Sequence, residues 1–265
     1  LLTKLNAICV VSALKFVQLA VWNKVRQEMN QTVTFRYKNT IARITGEPEL
    51  VKIGEEEIIR CYTDIENYIS NDPIFKATLK PYKVPNEASK IIREMATAGA
   101  ICGVGPMAAV AGAIAKYAVL AMQKAGATFA IVDNGGDIAI LNDRPVVVGI
   151  YSGPAVIHDI GLRIPVHSTL TSVCTSSGVI GHALSFGKSH ASVILADDPV
   201  LADAAATALG NRIREKDKFE IENAMNEVLK FGVAGCIVII EDYVGFAGEI
   251  PEICRVEMSE SMIAK

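Results

Sequence analysis

The spacing of the apolar residues changes several times along the chain, and each change predicts an element. Polar and apolar residues alternate over residues 34–37 and 40–44, which predicts two short strands or one bent strand. Helical spacing follows over residues 55–71, and this helix is expected to end at the Asp-Pro step that comes next. Asn86 is a favourable N-cap, so a further helix is expected from there to about residue 98.

The second half of the chain alternates between strands and helices joined by short turns. A helix rich in small residues is expected over residues 107–124, ending at Gly126, because glycine commonly terminates a helix. Asp198 followed by proline predicts the start of a later helix, and Asp217 that of another. Short turns between apolar strands favour antiparallel pairing, so the predicted fold class is α+β, with a mixed and largely antiparallel sheet packed with helices. The expected strands are residues 128–133, 138–141, 146–151, 156–166, 191–196 and 234–241, with a closing segment at 249–257.

The first 34 residues differ in character from the rest. Residues 5–22 are apolar, but Lys15 and Gln18 interrupt them, so no membrane span is expected. An amphipathic helix docked on the domain or on a neighbouring subunit fits this pattern. We therefore expect an N-terminal helical extension at residues 1–34 and a single domain at residues 35–265, where no linker or repeat divides the chain.

Composition and charge exclude some classes of protein. Of the 265 residues, 51% are hydrophobic, as in a well-packed globular protein that is expected to form a homo-oligomer through its alanine-rich helices. The net charge of −3, without a basic cluster containing aromatic residues, argues against nucleic acid as a partner. The six scattered cysteines form no CxxC pair, which favours reduced thiols in the cytoplasm. Cys102 and Cys174 lie beside polar loops and are either nucleophiles or core residues.

A glycine turn before the central helix is the first candidate for ligand binding. Gly103 and Gly105 precede a helix start at Met107, whose free N–H groups favour an anion such as a phosphate. With Gly112, the spacing fits neither a dinucleotide-binding fingerprint nor a P-loop. Glycine turns also join elements in proteins that bind nothing, so an ordinary connection is the alternative. A second glycine turn, with a carboxylate beside it, lies at residues 132–137.

Two further groups of polar residues are candidates for chemistry. Hydroxyl residues are dense over residues 168–178 and are suited to phosphate or carbonyl oxygens, although such stretches are also ordinary loops. His182, Lys188 and His190 follow, as catalysts or as plain hydrogen-bonding residues. Asp203 and Thr207 are four residues apart on one helix, so both are expected to face outward from an alanine and leucine stripe. Their oxygens are suitable ligands for Mg²⁺; the alternative is that both are ordinary polar residues on the protein surface.

Three blocks of sequence together resemble the ApbE family, the FAD:protein FMN transferases. Residues 112–119 resemble the family's Gly-Gly-Ile-Ala-Lys-Gly-Tyr-Ala-Val segment, and residues 132–138 its Val-Asn-Leu-Gly-Gly-Asp-Ile turn. Residues 192–209 resemble its Ser-Val-Thr-Val strand and the Ala-Asp-Ala-Leu-Ala-Thr-Ala-Leu helix that follows. The blocks keep the family's order, with its Ser-Gly block at residues 175–178, and the likeness is stronger to the archaeal-type branch.

The resemblance implies a Mg²⁺ site beside a flavin nucleotide. In the family, Mg²⁺ lies between an aspartate and a threonine of one helix and a backbone carbonyl of the first block, which correspond to Asp203, Thr207 and the main chain at Ala113. The residues implied to face the nucleotide or flavin ligand, with FAD as substrate, are Gly103, Gly105, Lys116, Asn134, Gly135, Gly136, Asp137, Ser176, Ser177 and Gly178.

The implied reaction is transfer of FMN from FAD to a Ser or Thr of an acceptor protein, with AMP as the leaving group. The family's His-Ile-Ile-Asp-Pro-x-Thr-Gly block has no counterpart after Gly178, where His182, Lys188 and His190 are the residues able to act as acid, base or phosphate partner. The alternatives are a non-catalytic protein that binds a flavin or nucleotide, and an enzyme of the same fold acting on another phosphorylated metabolite.

Overall fold

The computed structural model describes residues 30–153, 157, 159–167, 169–179 and 187–257. The expected N-terminal helix and His182 lie outside these residues. The described part has the predicted α+β class, with helices against a sheet whose paired strands are all antiparallel. Its first strand begins at Gln31, inside the segment that the sequence assigns to the extension.

Eleven strands of the described residues form two sheets. The larger sheet has eight strands in the order β1-β2-β3-β4-β7-β8-β9-β10, and the smaller has three in the order β11-β6-β5. The larger sheet comprises β1 (Gln31–Tyr37), β2 (Thr40–Gly46), β3 (Ala130–Asn134), β4 (Asp137–Leu141), β7 (Thr171–Ser176), β8 (Ala191–Ala196), β9 (Gly235–Ile240) and β10 (Tyr243–Gly248). The smaller sheet comprises β5 (Val146–Ile150), β6 (Ile160–Ile164) and β11 (Glu252–Arg255).

The central strands are covered on both faces. Val193 and Leu195 of β8 pack against the small sheet, whereas Ile194 between them packs against the helices. All six residues of β8 and of β9 are buried, as expected for strands between two layers. The small sheet covers one face of the large sheet. Asp137 of the large sheet and Asp203 of a helix therefore meet on the opposite face, where the helices pack.

Six helices of the described residues cover the other face. Three of them differ from the sequence prediction at their start. The first begins at Pro48, and the third begins after Ser89, because a turn from Pro85 to Ala88 precedes it. The fourth begins at Val110 and not at Met107, because a 3₁₀ turn occupies the residues before it. The helices are α1 (Pro48–Asn71), α2 (Pro73–Ala77), α3 (Lys90–Cys102), α4 (Val110–Lys124), α5 (Pro199–Arg212) and α6 (Lys218–Leu229), with a 3₁₀ turn at Pro106–Ala109.

The two alanine-rich helices are core helices. Pro106–Lys124 is long and apolar enough to cross a membrane, but α4 within it packs against α1, α5, β3 and β4, and half of the stretch is buried. The sequence predicted that alanine-rich helices form a contact with another subunit. On α5, however, the alanines are fully buried within the protomer and are not available for such a contact. The oligomeric state itself stays a prediction.

Candidate functional site

The start of α4 is met by a carboxylate from α5. The Gly112 N–H donates to Asp203 Oδ2 at 2.8 Å, and Asp203 is only 8% exposed. The two helices cross so closely that a Cβ on Gly112 would lie 2.2 Å from the Pro199 carbonyl oxygen. The outward orientation expected for Asp203 is therefore wrong, because α5 is buried on nearly every side. The anion at this helix start is supplied by the protein itself.

The second glycine turn brings another carboxylate to the same place. Gly135 and Gly136 have φ values of 73° and 103°, which a two-residue hairpin turn between β3 and β4 requires. Asn134 Nδ2 donates to the Ala111 carbonyl at 3.2 Å, which ties this turn to the first turn of α4. Asp137, the first residue of β4, is 8% exposed, and among the described residues nothing donates to its Oδ1.

These two carboxyl groups are both buried and close enough for their charges to interact. Burial raises the pKa of Asp203 to about 7, although N–H groups of Gly112 and Ala111 lower it in part. Burial also raises the pKa of Asp137 well above its usual range, and the charges on Asp203 and Asp133 add to the effect. No ion pair to either group forms among the described residues. A buried pair of like charges without a basic partner is unfavourable and is typical of a functional site.

The other two predicted metal ligands lie on the same helices. Thr207 is half-buried, one turn after Asp203 on α5. Ala113 is fully buried in the first turn of α4, where its carbonyl belongs to the helical hydrogen-bond ladder and points toward the C-terminal end of the helix. The groups of α4 that reach Asp203 are thus N–H donors and not carbonyl oxygens.

Lys116 lies apart from these carboxylates and joins three helices. Its ammonium is 3.0 Å from Glu94 of α3 and 3.1 Å from Asp198, the N-cap of α5, and its side chain is 15% exposed. Gly103 and Gly105, also assigned to the ligand, lie in the turn between α3 and the 3₁₀ segment. Lys116 thus links three helices through its ion pairs, Gly103 is the C-cap of α3, and Gly105 packs closely against the backbone at Thr78.

Replacing Lys116 tests this structural role. We expect Lys116→Met to lower the free energy of unfolding by about 1–3 kcal/mol, because two carboxylates lose a partly buried partner. Lys90→Met is the matched control, since Lys90 is 70% exposed and lies 3.6 Å from the same Glu94; its cost should be under about 0.5 kcal/mol. Urea unfolding of both variants measures the difference, and equal costs would contradict the role.

Beyond β7, three of the remaining candidates line an open cleft, and Ser176 and Ser177 are not among its lining residues. Cys174 pairs with Asp137 across the sheet, and Ser176 pairs with Ser192. Gly178 follows four residues after Cys174, at most about 14 Å away. The cleft has a volume of about 340 Å³ and is lined by Gly178, Val179, Gly187, Lys188, His190, Glu215, Lys216, Ile240 and Glu241. The sequence did not point to Lys216 or Glu241.

The imidazole in this cleft has one nitrogen engaged. His190 Nδ1 accepts the Glu241 N–H at 3.1 Å, so the neutral ring carries its proton on Nε2. Ser177 Oγ accepts the Val179 N–H at 3.1 Å and shapes the turn after β7. His190 is therefore arranged to donate a hydrogen bond from Nε2 and is less suited to accept a proton.

The two cysteines considered as nucleophiles are core residues. Both are at most 1% exposed. Burial raises the pKa of Cys102 to about 12, and burial together with Asp137 raises the pKa of Cys174 well above its usual range. A thiol held in its protonated form is a poor nucleophile, so the core interpretation is the one that the structure favours.

Comparison with known proteins places this geometry in a family. A family model described as AbpE bacteria matches residues 23–230. The chain belongs to the ApbE-like family. Its relatives include the UPF0280 protein of Methanosarcina acetivorans, 44% identical over 87% of this chain and 92% of that protein. The UPF0280 protein of Archaeoglobus fulgidus is 42% identical over 87% of this chain and 97% of that protein, so the resemblance to the archaeal-type branch is confirmed.

Solved structures share the fold of this ApbE-like chain at low sequence identity. The ApbE protein of Thermotoga maritima aligns over 82% of this chain and 96% of that chain, with a TM-score of 0.54 and 12% identity. A mutant of the flavin transferase ApbE from Vibrio cholerae aligns over the same shares, with a TM-score of 0.52 and 11% identity. The predicted fold class is confirmed.

Proposed function

We propose that this ApbE-like protein is a Mg²⁺-dependent enzyme that handles a flavin nucleotide and transfers FMN from FAD to a Ser or Thr of an acceptor protein. The observation that carries the proposal is the buried pair Asp137 and Asp203, which has no basic partner among the described residues. The names of the Vibrio cholerae and Pseudomonas stutzeri proteins, a flavin transferase and a flavinyl transferase, support the same chemistry.

The groups around this pair fit Mg²⁺. Among the described residues no three His, Cys, Asp or Glu side chains gather as ligands, so the available donors are two carboxylates and the Thr207 hydroxyl, with water completing the shell. An all-oxygen set with few protein ligands suits Mg²⁺ better than Zn²⁺. When bound, Mg²⁺ would stabilise negative charge on the pyrophosphate oxygens. Asp203 and Thr207 are proposed to hold it.

The reaction breaks one phosphoanhydride bond. The acceptor hydroxyl oxygen attacks the phosphorus on the FMN side of FAD, a P–O ester bond forms, and the anhydride bond to AMP breaks. The hydroxyl proton passes to water, and AMP departs with the bridging oxygen. In this chain, the Gly135–Gly136 turn and the hydroxyl of Ser176 are proposed to face the flavin nucleotide, while the Gly136 N–H stays bonded to Asp133 Oδ1.

The cleft beyond β7 is proposed to receive the phosphates. Lys188 supplies a positive charge at its wall, and the Nε2–H of His190 supplies a hydrogen-bond donor. With Nδ1 engaged by the Glu241 N–H, His190 is proposed to donate a hydrogen bond to a phosphate oxygen. It is not proposed as the base that takes the proton of the acceptor hydroxyl. We further propose a cytoplasmic protein, because the described cysteines are free thiols, four of them buried.

Titration with FAD tests this function. We expect isothermal titration calorimetry to show binding of FAD in the presence of Mg²⁺ and binding weaker by about tenfold or more with EDTA, since phosphate charge then lacks its counterion. AMP release on adding a protein that carries an accessible Ser or Thr acceptor would support the transferase. FAD binding without AMP release would favour the binding-protein alternative, and no binding in either condition would overturn the flavin assignment.

A further inference from the structure

Resting on the proposed Mg²⁺ site, we infer that Asp137 is itself a cation ligand, whose Oδ1 supplies the oxygen that the family resemblance assigns to the carbonyl of Ala113. The two assignments differ in a way that can be measured. A main-chain carbonyl contributes no net charge to a site, whereas a second carboxylate makes the site doubly negative and strengthens its attraction for a divalent ion.

The first observation is an oxygen that is buried without a partner. Asp137 is only 8% exposed, and no described residue donates a hydrogen bond to its Oδ1. Buried polar atoms are almost always paired, so an unpaired carboxylate oxygen requires an explanation. By contrast, Asp133 in the same hairpin uses its Oδ1 to accept the Gly136 N–H at 2.9 Å.

The second observation is the charge that faces this oxygen. Asp203 of α5 is held at the start of α4 by the Gly112 N–H, and Asn134, in the hairpin that carries Asp137, donates to the Ala111 carbonyl in the same helical turn. The carboxylates of Asp137 and Asp203 therefore meet at the start of α4, with Asp133 in the same hairpin. On the β7 side, the Cys174 thiol donates to the Pro199 carbonyl and the Thr175 N–H donates to the Gly136 carbonyl, so neither satisfies Asp137 Oδ1. The end of α4 that faces the pair contributes N–H groups to Asp203. Of these carboxyl groups, Asp133 faces Arg43 across the β2–β3 pair, whereas no ion pair to Asp137 or Asp203 forms among the described residues. A cation bound between Asp137 and Asp203 would supply that missing positive charge.

The third observation concerns Ala113. In α4 its carbonyl accepts the N–H of Tyr117, four residues later, and points along the helix axis away from Gly112. Asp203, however, is held at the N-terminal side of this turn through the Gly112 N–H. Because N–H and carbonyl groups point in opposite directions along a helix, the carboxylate held by the Gly112 N–H is turned away from the Ala113 carbonyl. Asp137, buried at the start of β4, is the further carboxylate that the described residues offer at this end of α4.

The hairpin fixes Asp137 in this position. Its turn is locked by the Asp133 side chain, and Asn134 ties it to α4 through the Ala111 carbonyl. Asp137 also pairs with Cys174 of β7 in the sheet. A carboxylate held on a strand, opposite one held on a helix, forms a rigid pair of ligands that needs little reorganisation when a cation binds.

Calorimetric titration of the full chain with Mg²⁺ and with Mn²⁺, without FAD, tests the inference. We expect Asp137→Asn to weaken cation binding by about tenfold or more, as the loss of one charged ligand would. Asp133→Asn is the matched control, because it neutralises a carboxylate of the same hairpin and keeps the side-chain oxygen that accepts the Gly136 N–H; its affinity should change less than about threefold. Asp203→Asn should also lose binding.

Thermal unfolding gives a second readout that does not depend on activity. Without a divalent cation, Asp137→Asn should melt at or above the wild-type temperature, since a repulsive buried charge is removed. On adding Mg²⁺ the wild type should gain stability and Asp137→Asn should gain much less. Asp137→Ser should repeat this loss if the charge is what matters.

The outcomes separate this inference from the proposed function. Loss of binding in Asp203→Asn with wild-type binding in Asp137→Asn would overturn the role of Asp137 and leave the proposed metal site intact. If the wild-type chain binds neither cation with or without FAD, both proposals fail. Weakened binding in Asp137→Asn and in Asp133→Asn to the same extent would also overturn the inference, because it would reflect damage to the hairpin.

Discussion

Gly112→Ala is expected to destabilise the protein by about 3 kcal/mol or more. The new Cβ would lie 2.2 Å from the Pro199 carbonyl oxygen and 2.8 Å from the Asp203 Cβ, so α4 and α5 would have to move apart. Backbone atoms cannot rotate out of the way as a side chain can, and the gain in helix propensity of about 1 kcal/mol does not offset the clash. Urea unfolding followed by circular dichroism measures the loss.

Gly54→Ala is the matched control for this experiment. It makes the same change inside a helix, and the nearest atom to the new Cβ is the sulfur of Met122, at 3.0 Å, which a flexible side chain can move. We expect its free energy of unfolding to stay within about 1 kcal/mol of the wild type. A cost for Gly112→Ala as small as that of Gly54→Ala would show that the α4–α5 contact is looser than the structure has it.

Local signals account for much of the fold. Alternation predicted strand structure at β1 and β2, as two short strands or one bent strand, and the glycine pair at Gly135 and Gly136 marked the β3–β4 turn, because only certain residues adopt a positive φ there. Asp198 was correctly placed as an N-cap, and Asp217, expected as the start of a helix, is also an N-cap, since each accepts a hydrogen bond from the first turn that follows. Such features depend on residues close in sequence and can therefore be predicted from it.

Contacts between distant segments were beyond the sequence. Asp203 was expected to face outward from its helix, yet it is buried against Gly112, which lies 91 positions earlier in the chain. The sequence of α5 predicted one buried face and one exposed face. The alanines lie on all sides of this helix, so other elements pack against it from every direction and no face is left exposed. The three-stranded sheet was also missed, since nothing local distinguishes β5 and β6 from strands of the larger sheet.

The candidate site was predicted in its residues and not in its arrangement. Asp137 and Asp203 were both named, but as contacts to different ligands, because 66 positions separate them and no local pattern shows that they meet. Because the two groups are close together, each of them lowers the free energy of unfolding. Two buried carboxyl groups that repel each other lower the stability of the fold, and such a cost is typical of residues retained for binding or catalysis.

Asp203→Asn is therefore expected to abolish the proposed activity while stabilising the metal-free protein. Asparagine keeps a side-chain oxygen for the Gly112 N–H but removes the charge that would hold a cation. FAD-dependent AMP release should fall by about 100-fold or more, because phosphate charge would lose its counterion. Measuring AMP by chromatography, with Asp242→Asn at an exposed ion pair as the control, tests the loss; unchanged release would contradict the role of Asp203.

The expected gain in stability of Asp203→Asn depends on pH, because it reflects the ionisation of Asp203 in the metal-free wild type. Since burial raises the pKa of Asp203 from 3.8 to about 7, the folded state holds its proton more tightly than the unfolded state does. Ionisation of Asp203 should thus lower the free energy of unfolding of the metal-free wild type by roughly 2–4 kcal/mol between pH 4 and pH 8, and Asp137, whose pKa is also raised, adds to this slope. Asp203→Asn should flatten this slope and be the more stable protein at pH 8. A wild type that becomes more stable over this range, or a variant with the same slope, would show that Asp203 is ionised and already neutralised in the folded protein.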